Sequence, residues 1–367
     1  MNKIFQYLLL TVFVLFVVKE NKAQEIRKYS NEFLNIGVGA EAMGLGNTKT
    51  ATSRNLYSFY YNPASLTQVK DVFEIGYMHS EYFAGIAKYD YLGVAIPIDS
   101  NRTVGVSFLR FGIDDIPNTL HLFDKDGSIN YDRIETFSVA DYGIFLSYAQ
   151  KINKIKGLNV GGNVKIIHKN VGTFANAWGF GIDLAMNYKH KNWRFGLMAK
   201  DLTSTFNAWN FTFTDEEQEV LVQTNNEIPH NSVEVTLPSF NLGASYMFDI
   251  KKKFFIEPML DLRMTTDGHR NVLIRTAPIS FDFSFGLEMN YAKIVYLRTG
   301  VSNFQWDKDT RTNTESLLFQ PSLGVGINIK DWFFIDYAFT NIGNKEIFYS
   351  HVISAHFSMK KPAKKKF

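Results

Sequence analysis

Trp178-Gly-Phe-Gly-Ile-Asp-Leu-Ala-Met-Asn-Tyr188 alternates a large apolar side chain with a small or polar one at every step. Period two is the signature of a strand, so Trp178, Phe180, Ile182, Leu184, Met186 and Tyr188 share one face while Gly179, Gly181, Asp183, Ala185 and Asn187 take the other. Strands of soluble sandwiches average about five or six residues, and this one is about twice that. A lipid-spanning β-strand needs about 9 to 11 residues, apolar toward lipid and small or polar toward the lumen, with aromatics at both interfaces. Trp178 and Tyr188 stand about 33 Å apart along a strand, which a tilt of about 45° reduces to about 23 Å of depth, close to the lipid band.

The same texture recurs at Phe240–Phe248, Phe281–Tyr291 and Leu317–Lys330, where Pro321 is the one local objection. Segments of this kind fall near 71–82, 87–97, 102–112, 136–150, 157–169, 176–190, 192–202, 238–249, 253–265, 279–291, 293–303, 317–329, 331–341 and 346–359. That makes 14, an even number as single-chain bacterial barrels have. Their connections sort by parity. Short polar turns near Asp99, Asn153, His190, Lys251, Ala292 and Lys330 alternate with long connections at 113–135, 203–237, 266–278 and 304–316, as periplasmic turns and outer loops do. The short connection near Ala84 is the exception. The fold expected is all-β, a transmembrane 14-stranded antiparallel barrel over 71–359, preceded by an N-terminal segment, 24–70, placed in the lumen.

Composition agrees. The chain has 367 residues, 15% of them aromatic and only 20% charged, with a net charge of +3 that argues against a nucleic-acid partner. It contains no Cys, which removes thiol chemistry, disulfides and cysteine-held metals together. Lys3, an apolar run from Leu8 to Val18 and Asn21-Lys22-Ala23 read as a signal peptide over 1–23, since the run is too short for a membrane-spanning helix. Outer-membrane lipid is then the first partner, and a Gram-negative outer membrane the location. Residues 360–367, with five lysines, read as a solvated basic tail in the periplasm.

The most particular motif lies in 24–70. Phe33-Leu34-Asn35-Ile36-Gly37-Val38-Gly39-Ala40-Glu41-Ala42-Met43-Gly44-Leu45-Gly46 is followed by Tyr60-Tyr61-Asn62-Pro63-Ala64. The glycines allow close backbone approach, and Asn62 can cap a short helix opened by Pro63. These residues resemble the N-terminal signature of the PorV/PorQ family of outer-membrane proteins of the type IX secretion system, itself similar to FadL-type barrels for hydrophobic compounds. Lys200-Asp201-Leu202 resembles that family's mid-barrel strand end. The resemblance implies a 14-stranded barrel occluded by the segment carrying Asn62-Pro63-Ala64, and a non-enzymatic role in protein secretion with secreted cargo proteins and a translocon as partners. A FadL-like transporter of hydrophobic small molecules is the alternative. Glu41 stands where the family usually has Arg, and Asn47 where it often has Gly.

On the expected lumen face, small residues such as Gly161, Gly196, Gly243 and Gly300 leave room for packed backbone. Lys165, Asp183, Glu257, Asp261, Arg263, Asp282, Glu288, Arg298 and Asp336 also point inward. Buried charges need partners, and the expectation is ion pairing among these groups or with Arg27, Lys28 and Glu41. A head-group site for a polar ligand is the sharper alternative. Ser354, His356 and Ser358 share a face with Asp336, but no nucleophile turn accompanies them, so no catalytic residue is assigned. His351 and His356 point to opposite faces and Asp124-Lys125-Asp126-Gly127 lacks downstream calcium ligands, so neither metal nor cofactor is expected. Phe206, Trp209, Phe211 and Phe213, beside the acidic Asp215-Glu216-Glu217, are candidate contacts in an outer loop, either for a protein partner or self-packed over the barrel mouth.

Overall fold

The computed structural model describes residues 30–70, 72–124, 126–308, 311–341 and 349–359. The signal peptide, Arg27 and Lys28 of the segment after it, and the basic tail lie outside these residues.

Among the described residues, seventeen strand segments form one sheet. In chain order they are β1 (Phe73–Tyr82), β2 (Ala87–Pro97), β3 (Arg102–Asn118), β4 (Glu135–Lys151), β5 (Leu158–Val171), β6 (Ala175–His190), β7 (Trp193–Lys200), β8 (Thr205–Phe211), β9 (Ser232–Thr236), β10 (Ser239–Tyr246), β11 (Phe248–Ile250), β12 (Phe254–Thr265), β13 (Ser280–Tyr291), β14 (Val295–Lys308), β15 (Glu315–Ile329), β16 (Phe333–Asn341) and β17 (Tyr349–Met359). β7 and β8 both pair with β6, and β10 and β11 both pair with β12. With β9 continuing β10 beside β8, the segments make 14 strands. Every neighbour is antiparallel and β1 pairs with β17, so the sheet closes without an edge.

The closure is staggered. A hydrogen-bonded row leaves β6 at Asn176, runs through Asn170, Ala140, Gly112, Lys88, Glu81, His351, Phe339, Leu323, Thr299, Leu287 and Pro258, and rejoins β6 near His190, about 14 residues further along. A shear near the strand number tilts the strands, and each step around the wall changes depth by about one residue.

Outward faces carry exposed Trp178, Leu184, Leu260, Leu323, Val325 and Ile327. His168 stacks on Trp178 at 4.2 Å and on Tyr142 at 6.0 Å, an aromatic rim toward the long loops. Trp193, Tyr246 and Phe248 pack at the opposite end, 4.9 and 4.6 Å apart, as the second rim.

Two sequence expectations need correction. The connection at 113–135 is shorter than expected, because β3 continues to Asn118 through a register shift between Ile113 and Ile116. The connection at 203–237 is not one loop, since β8 and β9 raise the wall there. The loop proper holds the helix Asp215–Gln223, closed by a capping box between Thr214 and Glu217.

Residues 30–70 lie against the inward faces of the wall. Four short helices, Glu32–Asn35, Ala40–Met43, Ser58–Tyr61 and Pro63–Gln68, are joined by turns. The Asn62 side chain accepts from the Ala64 N–H at 3.2 Å, capping the helix that Pro63 opens, and donates to the carbonyls of Thr50 at 2.8 Å and Met186 of β6 at 2.9 Å. The Tyr60 and Tyr61 hydroxyls accept the N–H groups of Gly37 and Val38, both at 3.0 Å. Backbone groups that a turn leaves without partners are thereby satisfied by side chains. Glycine sets how close the segment comes to the wall. A Cβ on Gly300 would sit 2.1 Å from the Leu45 carbonyl carbon, and one on Gly196 2.1 Å from the Thr50 carbonyl oxygen.

Candidate functional site

Three features mark the lumen and its wall. The first is an ion-pair network joining the N-terminal segment to the wall. Arg298 of β14 donates to Glu288 of β13 at 2.9 Å and to Asp336 of β16 at 2.6 Å, and lies 4.0 Å from Glu41. Lys49 pairs with Glu41 at 2.7 Å. Arg54 reaches Glu257 at 2.9 Å and Glu288 at 3.2 Å, and Arg194 of β7 reaches Glu257 at 3.0 Å. Four carboxylates thus face Lys49, Arg54, Arg194 and Arg298, so the cluster is charge-balanced, as burial demands. Burial works against the Glu41 charge, but Lys49, then Arg298 and Arg54, outweigh it and hold that carboxyl well below the usual carboxylate range.

The second feature is a break in the wall. β6 pairs with β7 from Leu184 and with β8 up to Phe180, and between them the ladder is interrupted opposite Asp201–Ser204. Asp201 and Ser204 adopt positive φ, and a single backbone bond, Leu202 N–H to Ile182 at 2.9 Å, spans the gap. Lys165 of β5 plugs it from inside, paired with Asp183 at 2.8 Å and with Asp201, to which Thr205 also donates at 2.5 Å. On the outer face at the same place is a groove of about 850 Å³, lined by Leu146, Val164, Ile182, Leu184, Leu197 and Leu202.

The third feature is a polar vestibule of about 360 Å³ at the long-loop end, between the N-terminal segment (Glu32, Asn35, Asn47, Tyr60) and the wall residues Lys200, Asn241, Asp261, Arg263, Asp282 and Gln320. Asp261 accepts the Thr50 N–H at 2.9 Å, and Glu32 is held by Arg270 at 2.9 Å. Lys200 and Arg263 have no carboxylate within ion-pair distance among the described residues. The Lys200 ammonium sits 4.4 Å from the Tyr60 ring centre, and the buried Arg263 Nε has no hydrogen-bond partner among the described residues. A small cavity behind the wall break, lined by Asn35, Tyr60, Lys165, Asp183, Lys200 and Asp201, shares residues with both the vestibule and the outer groove.

Of the inward charges expected from sequence, Glu257, Glu288, Arg298 and Asp336 meet in the network, Lys165 and Asp183 meet at the break, and Asp261, Arg263 and Asp282 line the vestibule. Sequence reasoning missed Lys49, Arg54, Arg194 and Asp201. Asp201 carried a signal, the Lys200-Asp201-Leu202 strand end. Phe33, Leu34, Gly37, Gly39, Ala40, Met43, Gly44, Asn62, Pro63 and Ala64 are all buried, with the Ala40 N–H bonded to Ser354 Oγ at 2.9 Å. Asp336 is held by Arg298, and His356 stacks on Phe334 at 4.2 Å, so these groups pack separately. Phe206, Trp209 and Phe211 are strand residues of β8 rather than loop residues. Trp209, Phe211 and Phe213 are half-buried in a stack with centroids 5.9 and 6.4 Å apart, and Phe206 alone of the four is exposed, at 47%, on the outer face.

This architecture defines a closed 14-stranded antiparallel barrel of FadL-like outer-membrane fold. The chain is similar to CymD, a monoaromatic hydrocarbon channel, at 14% identity and a TM-score of 0.57, covering 89% of this chain and 98% of that one. It is similar to the toluene transporter TodX of P. putida at 11% identity and 0.54, covering 89% and 99%. A FadL homologue of Pseudomonas aeruginosa aligns at 10% identity and 0.50, covering 88% and 98%. No protein-family model and no curated protein matches the sequence.

Proposed function

We propose that this chain is an outer-membrane conduit for hydrophobic small molecules bearing a polar head group, with residues 30–70 acting as its plug. The observation that carries the reading is a small inner cavity, about 20 Å³, that shares Asn35, Tyr60 and Lys200 with the vestibule and Asp183 with the apolar outer groove, beside the Lys165–Asp183 pair at the wall break. A molecule entering from outside meets Lys200 and Arg263, two cations with no carboxylate within ion-pair distance among the described residues, which suit an anionic head. Its apolar part would leave through the interrupted ladder into the groove, avoiding the plugged lumen below. The hydrocarbon channels that share the fold support the apolar part of this reading.

A second reading, an accessory role in type IX secretion, rests on the Phe33–Gly46 and Tyr60–Ala64 motif and on a lumen filled by that segment. Deleting the gene separates the two. The conduit reading expects slower uptake of a labelled long-chain fatty acid with an unchanged set of secreted proteins. Lost secretion with normal uptake would replace it with the second reading.

A further inference from the structure

The outward face of the β1–β3 wall departs from the lipid-facing pattern. Tyr77, His79, Glu81, Lys88, Asp90 and Arg110 alternate with inward-facing residues and so point out of the barrel. The His79 and Glu81 side chains are 41% and 59% exposed. One hydrogen-bonded row joins Trp178 to His168, Tyr142, Arg110, Asp90 and His79. Because each strand step along this row descends by about one residue, His79 lies about 12 Å deeper than the outer aromatic rim at Trp178. The polar groups therefore fall within the hydrocarbon band.

Beyond them the hairpin tip is apolar, with Phe83 and Ile86 exposed and a connection of only four residues. By the same count the tip, about five residues above His79, lies level with the Trp178 rim, so the polar groups sit where the rest of the wall is apolar.

Contacts within the chain satisfy these groups in part. Asp90 accepts from Tyr77 at 2.7 Å and meets His79 at 2.8 Å, whereas Arg110 and Lys88 each reach only Asp114, at 3.4 Å, among the described residues, and Glu81 lies 3.7 Å from His79. Acyl chains offer these groups nothing, and anionic lipid head groups would repel Glu81 and Asp90. A protein wall carrying both signs would satisfy them.

We infer that this face is the interface of a dimer, and that the protein packed on it is a second copy of the chain. The patch is its own complement. A two-fold axis along the membrane normal through β2 sets β1 of one copy against β3 of the other, as an isologous interface requires. Glu81 shares a row with Lys88 and Gly112, two strands away. The one-residue descent per strand therefore puts Glu81 at the depth of Arg110, which lies two residues below Gly112. Glu81 of each copy thus faces Arg110 of the other, and Lys88 and Asp90 lie along the axis.

The chain contains no cysteine, so introduced thiols report directly. In native outer membranes, Lys88→Cys should give a disulfide-linked dimer under mild oxidation. Chains carrying Glu81→Cys and Arg110→Cys, expressed together with different tags, should cross-link to each other. Leu260→Cys, outward on the far wall, should not. Arg110→Glu should abolish the Lys88→Cys cross-link, and adding Glu81→Arg should restore it. A Lys88→Cys chain that stays monomeric, links to a different protein, or links no better than Leu260→Cys overturns the inference.

Discussion

Replacing Arg298 by Met removes the cation on which three carboxylates converge while keeping the length of the side chain. The Arg298, Glu288 and Asp336 side chains are 4%, 1% and 6% exposed, so no water replaces the lost partner. Glu288 keeps Arg54 and Glu41 keeps Lys49, whereas Arg298 is the only cation within ion-pair distance of Asp336 among the described residues. The cost is therefore one stranded buried carboxylate, about 3–5 kcal/mol. Asp336→Asn alone leaves Arg298 with Glu288 and should cost less. The pair Arg298→Met with Asp336→Asn should recover at least about half of the single-mutant loss, because no uncompensated charge remains at that position. Urea unfolding of protein refolded into lipid vesicles, followed by the mobility shift of folded barrels on gels, measures each variant. An Arg298→Met chain within about 0.5 kcal/mol of the parent would refute the claim that this cluster holds segment and wall together.

Gly300→Val places a side chain where Leu45 and Gly46 backbone atoms lie 2.1 and 2.3 Å from the ideal Cβ, so the N-terminal segment must move at a cost of about 1–3 kcal/mol. Limited proteolysis should then cut residues 30–70 while the barrel stays folded, and an unchanged digest would contradict the packing described. Lys165→Met leaves Asp183 and Asp201 facing each other without their cation, which should widen the wall break and raise entry of an apolar dye several-fold; unchanged entry would remove Lys165 from the gate. The Glu41 carboxyl is held below its ordinary value of 4.5, so its stabilisation is complete above that value and is lost as pH falls toward the depressed folded value. Protection of the segment from an acid-active protease should therefore hold from pH 8 to about 5 and fall below about 4, and Glu41→Gln should flatten that part of the profile.

The wall was legible because lipid imposes one rule on every strand, and Trp178–Tyr188 obeys it from rim to rim. The rule ends where the membrane does. Above the rim, β8 turns Trp209 and Phe211 inward and Ala208 and Asn210 outward, the reverse of the lipid-facing order, so alternation alone read that stretch as loop. The inward charges were legible one strand at a time from their parity. Their partners were not, because Arg54 meets Glu257 across 203 residues of sequence and nothing local to either side chain encodes that meeting. The bulge in β3 and the interrupted ladder at Asp201 were hidden for a related reason. Both depend on what the neighbouring strand does rather than on the pattern of the strand itself.

The conduit account is tested most directly by stapling the wall break. Ile182→Cys with Leu202→Cys, at the one backbone bond across the gap and in a chain otherwise free of thiols, can be closed by oxidation and reopened by reductant. The account predicts that uptake of a labelled fatty acid stops in the oxidised state and returns on reduction. Equal uptake in both states would show that the molecule does not pass this way.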